Sequence, residues 1–277
     1  MEKKVWLISG VSKGLGKHMA ELLLAQGDIV VGTVRSKEDQ QLFKDELGGD
    51  AYIIDLKNLD EIAGLIKYVI QTYGKLDVLV NNAGYGAFGM VEEFSIKEVR
   101  EQMEVNFFAV LALSQAVLPH FRMRKSGTIV QLSSRLGISS GIGKGIYSAG
   151  KFAIEGLSEA LRAEVKPFGI RVLLMEPGAM RTDFFGKSIA YAQTIIKPYQ
   201  EEFGDFRTNT NAIHGNQPGD PNKVAKEIIK AVNNNQQDLF RLPFTTGSLE
   251  TIADKIKEYQ LMLEEYSAIG RSVEFKS

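Results

Sequence analysis

Short apolar runs alternate along the chain with longer amphipathic stretches. Several of these runs are apolar nearly throughout, as expected of strands that are buried on both faces of a sheet. The predicted strands are Val5–Ser9, Ile29–Val34, Ala51–Ile54, Leu76–Asn81, Gly127–Ser133, Ile170–Glu176 and, from a weaker pattern, Asp238–Leu242.

The stretches between the strands carry helix start signals. Asn58 and Ser95 each precede a glutamate by three residues, which fits a capping box, and Asp220 precedes a proline at the first helical position. Strands separated by helices of this length predict right-handed βαβ units and a parallel sheet covered on both sides. We therefore predict an α/β fold with a doubly wound, mostly parallel, Rossmann-like sheet in a single domain, 1–277.

The carboxyl-terminal extension, 249–277, contains a predicted amphipathic helix from Leu249 to Tyr266. Its apolar residues fall near one stripe of the helix surface. The helix could close a pocket, cover a sheet edge or join a partner subunit. The stripe consists of Ile252, Ile256, Tyr259, Leu263 and Tyr266.

Composition narrows the choice of partners and location. The net charge is −1 without a basic block, which argues against a nucleic-acid partner. The absence of cysteine excludes disulfides and thiol catalysis and fits a cytoplasmic location. The chain runs directly into a strand, so we expect neither a signal peptide nor a membrane span. The three histidines lie far apart in sequence, so no metal site is predicted.

The first predicted strand leads into a glycine-rich turn, Ser9-Gly10-Val11-Ser12-Lys13-Gly14-Leu15-Gly16, which precedes a predicted helix. Strand, turn and helix in this order present free backbone N–H groups and a positive dipole end to an anion. Glycines also let the backbone approach a pyrophosphate closely. This segment predicts a dinucleotide site, with a flexible turn before an ordinary helix as the alternative.

Tyr147 and Lys151 stand four residues apart at the start of another predicted helix. Positions separated by four residues share one helix face. Tyrosine has an unperturbed pKa of about 10, and a nearby cation favours the phenolate and lowers that pKa. The pair is a candidate general acid/base. The same spacing also occurs by chance on solvated helix faces, so other motifs are needed to decide whether this pair is catalytic.

On these and further motifs the chain resembles the short-chain dehydrogenase/reductase family, in its compact single-domain branch. One departure is Ser9, where threonine is usual; both carry the hydroxyl group. The branch that includes epimerases and dehydratases is less similar because its glycine spacing differs. The motifs are Ser9-Gly10-x-x-x-Gly14-x-Gly16, Asn81-Asn82-Ala83-Gly84, Asn106, Ser134, Tyr147-x-x-x-Lys151 and Pro177-Gly178-x-x-x-Thr182.

The resemblance implies catalytic roles. Tyr147 would exchange a proton with the substrate oxygen, and Lys151 would lower the Tyr147 pKa and bind the nicotinamide ribose. Ser134 would hold the substrate carbonyl or hydroxyl group; Ser133 competes for this role, and the family spacing favours Ser134. Asn106 would anchor a water that links Lys151 to solvent, with a helix asparagine bonded to nearby backbone as the alternative.

Cofactor choice depends on the end of the second strand. No acidic residue occurs there, and Arg35 and Lys13 offer positive charge to the 2′-phosphate of NADP. We predict NADP(H) over NAD(H), with solvated surface charges as the alternative. The further cofactor contacts that the resemblance implies are Ser9, Gly10, Ser12, Gly14, Leu15, Gly16, Ser36, Asp55, Leu56, Asn82, Ala83, Gly84, Tyr147, Lys151, Pro177, Gly178 and Thr182.

A long connection, 179–219, separates the sixth strand from the helix that follows Asp220. Such connections often form lids that exclude water from a site. Its aromatic residues suggest an apolar pocket, although they could equally pack the segment down. The pocket candidates are Phe184, Phe185, Tyr191, Tyr199, Phe203 and Phe206 in this segment, and Tyr85, Phe88, Met90, Ile138 and Ile142 elsewhere.

The expected function is an NADP(H)-dependent oxidoreductase for a hydrophobic ketone, aldehyde or secondary alcohol, working as a homo-dimer or homo-tetramer. Two alternatives are a non-catalytic dinucleotide sensor and a non-redox enzyme such as an epimerase or dehydratase. The presence of Ser134, Tyr147 and Lys151 together argues against a sensor, which has no need of all three.

Overall fold

The computed structural model describes residues 3–186, 188–234 and 239–275. In this part of the chain, seven parallel strands form one sheet and two short strands form a separate parallel pair. The strands are β1 (Val5–Ile8), β2 (Ile29–Val34), β3 (Asp50–Ile53), β4 (Val78–Asn81), β5 (Gly86–Phe88), β6 (Gly127–Leu132), β7 (Ile170–Pro177), β8 (Ile189–Tyr191) and β9 (Arg241–Phe244). The sheet order is β3-β2-β1-β4-β6-β7-β9, so the chain winds outward in both directions from β1.

Helices cover both faces of the sheet. The α-helices are α1 (Gly14–Ala25), α2 (Lys37–Leu47), α3 (Ile62–Tyr73), α4 (Ile96–Met103), α5 (Ala109–Arg124), α6 (Gly145–Val165), α7 (Lys197–Phe203), α8 (Phe206–Asn211), α9 (Pro221–Asn233) and α10 (Thr246–Ser272). A π-helical turn, Glu104–Phe108, joins α4 to α5. Short 3₁₀ turns lie at Leu59–Glu61, Val91–Glu93, Arg135–Gly137, Lys166–Phe168 and Asp183–Phe185.

The predicted doubly wound α/β fold is confirmed. Each predicted strand corresponds to a strand of the main sheet; the bounds of β2 agree, and the other ends shift by at most three residues. The weakest prediction, Asp238–Leu242, corresponds to β9; its first residue lies outside the described part of the chain.

The apolar runs of the inner strands follow from burial on both faces. In β1, Val5 and Leu7 join the core cluster formed with α3, α5 and α6, whereas Trp6 and Ile8 join the cluster formed with α1 and α9. Successive side chains of a strand point to opposite faces, so a strand covered on both sides needs an apolar residue at every position.

Two of the three predicted helix starts are confirmed. Ser95 Oγ accepts from the Glu98 backbone N–H at 3.3 Å, and Glu98 accepts in return from the Ser95 N–H at 2.8 Å. Asp220 accepts from the N–H groups of Asn222 and Lys223 at 2.9 and 3.2 Å.

The capping box predicted at Asn58 is wrong. Its side-chain amide donates to the Glu61 carboxylate at 3.1 Å, so the two side chains bind each other and not the backbone. A 3₁₀ turn intervenes, and α3 begins only at Ile62.

The long connection 179–219 is anchored to the body of the domain. Its strand β8 pairs in parallel with β5, which places Ile189 opposite Gly86 and Tyr191 opposite Phe88. The helices α7 and α8 follow within the same connection. Lys187 lies outside the described residues.

Helix α10 is longer than the sequence indicates and is mostly exposed. Its first turn is fixed by Ser248, whose buried hydroxyl donates to the Glu176 carbonyl at 2.6 Å. The predicted stripe farther along does not face the core, since Ile256 is 53% exposed and Leu263 is 59% exposed. The extension therefore does not close the cavity described below; Lys276 and Ser277 lie outside the described residues.

Among the described residues, the helical run Ile96–Arg124 has the length and hydropathy that crossing a membrane would require. Length and hydropathy alone are weak evidence, because core helices also meet these two criteria. In this fold α5 packs against α3, β4 and β6, and its Leu113 and Val117 are almost fully buried. We therefore assign the run to the helical layer of the domain.

Candidate active site

A cavity of about 540 Å³ lies at the carboxyl ends of the central strands. In open α/β sheets this is the edge at which ligands bind. Most of the predicted site residues line it. They are Gly10, Ser12, Lys13, Gly14, Leu15, Arg35, Asp55, Leu56, Asn82, Ala83, Gly84, Ser134, Tyr147, Lys151, Pro177, Gly178 and Thr182.

Three predicted cofactor contacts do not line the cavity, and their contact with a cofactor stays a prediction. Ser9 is buried, and its hydroxyl accepts from the N–H groups of Asn82 and Ala83 at 2.9 and 3.0 Å, which ties β1 to the end of β4. Gly16 packs against the turn itself, where a Cβ would lie 2.1 Å from the Gly10 carbonyl oxygen. Ser36 caps α2 by accepting from the Asp39 N–H at 3.0 Å. These residues support the wall of the cavity.

The glycine-rich turn has the geometry that an anion site requires. Gly10 and Gly14 have φ angles of +74° and +62°, a conformation that favours glycine. Lys13 is the N-cap of α1 but makes no side-chain capping bond, so no side chain occupies the first N–H groups of this helix. A dinucleotide pyrophosphate fits such a helix start, and the residues present are therefore compatible with a nicotinamide dinucleotide.

Two cations lie at the part of the cavity formed by the glycine-rich turn and the end of β2. Lys13 and Arg35 are exposed and line the cavity. Neither is paired with a carboxylate in the part of the chain that the structure describes. Both guanidinium and ammonium groups are therefore available to a phosphate group.

The two serines at the end of β6 make different contacts. Ser133 donates its hydroxyl hydrogen bond to the carboxylate of Glu155. Ser134 begins the 3₁₀ turn, where its Oγ accepts from the Leu136 N–H at 3.1 Å, and it is also hydrogen-bonded to Tyr147. The geometry thus pairs Ser134, and not Ser133, with the tyrosine.

Tyr147 is buried among aromatic rings, and its pKa is raised. Its ring centroid lies 5.8 Å from that of Phe88 and 5.6 Å from that of Phe184. Burial raises the pKa of Tyr147 well above its usual value, and the hydrogen bond from Ser134 opposes this only in part. Desolvation of the phenolate is the larger effect in the chain alone, and the expected lowering of this pKa by Lys151 stays a prediction.

Lys151 lies on the same face of α6 as Tyr147. Its ammonium group donates to the Leu132 carbonyl at 2.6 Å and lies 5.7 Å from the centre of the Tyr147 ring. Burial lowers the pKa of Lys151 to about 8, and the negative charge of Glu155 opposes that shift. The amine can therefore change its charge near neutral pH.

Asn106 lies next to the cavity and does not line it. Its side chain accepts from the Tyr85 N–H at 3.1 Å and donates to the Tyr85 carbonyl at 2.8 Å. Both polar groups of the amide thus hold the loop after β4, and the water-anchoring role of Asn106 stays a prediction. The π-helical turn places Asn106 in this buried position.

Aromatic residues from β5 and the 3₁₀ turn after β7 form an apolar wall. Phe88, Phe184 and Phe185 are in mutual edge-to-face contact, with ring centroids 5.6 to 6.4 Å apart. Tyr85 also lines the cavity. The expectation of an apolar pocket holds for these four residues.

The other predicted pocket residues do not line the main cavity. Met90, Tyr199 and Phe206 line a separate, much smaller cavity. Tyr191 donates to Asn211 at 2.7 Å, and Ile142 is 58% exposed. Ile138 and Phe203 also lie outside the main cavity, and within the long connection the ring of Phe203 stacks on that of Tyr199.

Several charged residues near the site were missed from the sequence. Glu155 follows Lys151 by one helical turn, and this spacing could have identified it. Arg241 of β9 binds Glu155 and Glu176, a contact between distant parts of the chain that no local pattern signals. Arg135 and Lys144 line the cavity beside Ser134 and Tyr147. Among the described residues, no group of three or more potential ligands could hold a metal ion.

Comparisons with a family model and with known proteins all indicate the same family. A model of the short chain dehydrogenase family matches residues 4–192. A 3-ketodihydrosphingosine reductase from Bacteroides thetaiotaomicron is 41% identical over 184 residues, which is 66% of either chain. An NADPH-dependent 3-dehydrocapnine reductase from Ornithobacterium rhinotracheale is 35% identical over 209 residues, 72% of either chain.

Comparison with solved structures indicates the same family. A short-chain dehydrogenase from Streptomyces avermitilis matches with a TM-score of 0.90 at 36% identity, covering 99% of each chain. Several other solved structures that share the fold hold NADP, and another holds NAD.

Proposed function

Since this chain belongs to the short-chain dehydrogenase/reductase family, we propose that it uses NADP(H) to reduce a hydrophobic ketone or aldehyde, or to oxidise the corresponding alcohol. Membership makes the chain an oxidoreductase that acts on C=O or CH–OH groups. The observation that carries the proposal is the hydrogen bond between Ser134 and Tyr147 inside the cavity, with Lys151 on the same helix face.

Ser134 and Tyr147 are suited to hold one substrate oxygen together. Their hydroxyl groups are within hydrogen-bond distance of each other, so a substrate oxygen that takes the place of this mutual bond can accept a hydrogen bond from each. The raised pKa keeps the Tyr147 phenol protonated near neutral pH, and a protonated phenol is the form that gives up a proton. Carbonyl reduction is therefore the direction that these side chains favour.

Proton transfer follows from this arrangement. As negative charge develops on the carbonyl oxygen, the Tyr147 O–H bond breaks and its proton moves to that oxygen, while Ser134 stabilises the charge. Lys151, which is protonated below about pH 8, supplies positive charge beside the phenolate that remains. The nicotinamide, when bound, supplies the hydride.

The same cavity offers places for the dinucleotide. Gly10 and Gly14 would accept the pyrophosphate at the start of α1, and Arg35 and Lys13 would bind the 2′-phosphate of NADP. Thr182 and its neighbours after β7 would meet the nicotinamide end. The relative named as NADPH-dependent supports this cofactor choice. Homo-oligomeric assembly and a cytoplasmic location stay predictions.

Substitution of Tyr147 tests the proposal. Tyr147→Phe should lower NADPH-dependent turnover of a reducible long-chain ketone by about 10²- to 10⁴-fold, because general acid catalysis is lost. NADPH affinity, measured by fluorescence titration, should change little. Tyr199→Phe, outside the main cavity, is the matched control and should retain turnover.

The same assay separates the alternatives. A sensor would bind NADPH without consuming it in the presence of any test ketone. An epimerase or dehydratase would show no net consumption while it converts its substrate. Full activity of Tyr147→Phe would remove the tyrosine from the mechanism.

A further inference from the structure

Two cations stand beside the catalytic pair, away from the predicted phosphate site. Arg135 directly follows Ser134, and Lys144 precedes Tyr147 by three residues; both line the cavity. Both residues belong to the segment between β6 and α6, and they are close enough for the charge of Arg135 to act on Lys144. The mechanism above gives neither residue a role.

The environment of Lys144 is unfavourable for a cation. Lys144 is the N-cap of α6, a helix of 21 residues with no acidic residue in its first turn. The amino end of a helix carries partial positive charge and is stabilised by anions. Burial, followed by the positive charge of Arg135, lowers the pKa of Lys144. Positive charge is therefore concentrated at this point.

The described residues contain no anion that balances these charges. Neither Arg135 nor Lys144 forms an ion pair with a carboxylate there. Asp183 also lines the cavity, but it is exposed and makes no ion pair with either cation. Partly buried like charges without a partner are costly, and they occur where a ligand supplies the opposite charge.

This positive region is separate from the proposed NADP phosphate site. Arg35 follows β2 and Arg135 follows β6, and β1 and β4 lie between these strands in the sheet. Three strand spacings correspond to about 14 Å. The two pairs of cations therefore belong to different parts of the cavity.

We propose that Arg135, Lys144 and the amino end of α6 form an anion subsite for the substrate, so that the preferred substrate is a hydrophobic carbonyl compound with an anionic group close to its carbonyl. The inference rests on the proposed carbonyl reduction and specifies its substrate class. The carbonyl would lie at Ser134 and Tyr147, the apolar chain along Phe88 and Phe184, and the anion between the two cations. A carboxylate, sulfonate or phosphate group has the required charge.

A matched pair of substrates tests the subsite. Long-chain 3-oxo acids and their methyl esters share the ketone and the chain and differ only in the negative charge. The wild-type protein should show a kcat/KM at least about tenfold higher for the acid, which corresponds to one charge-assisted hydrogen bond. This preference should weaken as salt is added.

The double substitution Arg135→Gln with Lys144→Gln should reduce the acid-to-ester ratio to within about twofold of one. The ratio is the readout because general damage to the protein lowers both rates and leaves their quotient unchanged. The control Arg122→Gln with Lys226→Gln removes the same charge from exposed positions outside the cavity and should keep the wild-type ratio.

Failure of the subsite and failure of the proposed function give different results. If the wild-type protein reduces ester and acid equally well, or the double variant keeps the preference, the subsite is disproved and carbonyl reduction stands. If NADPH binds but no ketone of either series is reduced, the proposed function falls and the subsite falls with it.

Discussion

Ser133 and Ser134 directly follow β6 but bind different partners. The backbone at Ser134 is still extended, and successive side chains of an extended chain alternate in direction, so only one of two adjacent serines can meet the tyrosine. Glu155 accepts the Ser133 hydroxyl, which leaves Ser134 for Tyr147. Spacing in the sequence favours Ser134 only through the family resemblance, whereas the carboxylate at Glu155 supplies the physical reason.

Arg35 carries the prediction of cofactor preference. Arg35→Asp should lower the affinity for NADPH relative to NADH by at least about tenfold, because a charge-assisted hydrogen bond is lost and a repulsive charge is gained. Titration of the two reduced dinucleotides against the variant measures this ratio.

Lys37→Asp provides the control for that titration. Lys37 begins α2 two residues later, is exposed and does not line the cavity. An equal ratio in Arg35→Asp and wild-type protein would mean that Lys13 or another group binds the phosphate.

At the scale of secondary structure, local patterns predict the main elements well. Apolar runs identify the inner strands of the sheet because these are buried on both faces, and capping residues locate the starts of α4 and α9. The short pair β5 and β8 is not predicted. Each of its strands has only three residues and is stabilised by a partner about a hundred positions away, as in Phe88 opposite Tyr191.

The cluster around Arg241 is a second contact between distant parts of the chain that local patterns do not predict, and it has a testable consequence. Its guanidinium group on β9 binds Glu155 of α6 and Glu176 of β7, both buried, and the more exposed Glu159 at 2.5 Å. Helix periodicity indicates that Glu155 shares a face with Lys151. No periodicity in the sequence indicates that Arg241 on β9 pairs with Glu155.

Arg241→Gln should destabilise the protein by about 3 to 5 kcal/mol, because removal of one partner leaves buried carboxylates uncompensated. The pair with Glu159 should contribute little, since that side chain is 62% exposed. Urea unfolding measures the free energy of unfolding. Adding Glu155→Gln to the variant should restore part of the loss by removing one of the negative charges.

Arg122→Gln is the control for this measurement. Arg122 is exposed, so its replacement should change the free energy of unfolding by less than about 0.5 kcal/mol. A cost for Arg241→Gln no larger than that of the control would show that the carboxylates do not depend on Arg241.

At the scale of the whole molecule, most of the predicted site residues lie together at one edge of the sheet. The predicted site residues follow β1, β2, β3, β4, β6 and β7, and parallel strands bring all these ends together. This is why motifs spread over 9–182 could be predicted to form one site. Charge states could not be predicted in the same way, because the pKa of Tyr147 depends on how completely the surrounding aromatic rings exclude water.

The cost of burying charge at this edge should be visible in the stability of the whole protein. The pKa of Lys151 is about 8 in the folded chain and 10.5 in the reference state. Between these values the unfolded chain binds a proton that the folded chain lacks, so stability rises with pH. Glu155, with a pKa of about 7, titrates below this range. Lys144, whose pKa is also lowered, contributes with the same sign.

We therefore expect the free energy of unfolding, measured without cofactor, to increase between pH 8 and pH 10, with Lys151 contributing up to about 1.4 kcal/mol per pH unit. Lys151→Met should remove that contribution, because methionine has no charge to desolvate. Lys226→Met, at an exposed position, should keep the wild-type slope. An identical slope in Lys151→Met and wild-type protein would show that the buried amine stays protonated throughout this range, and the neutral amine assigned to it above pH 8 would be wrong.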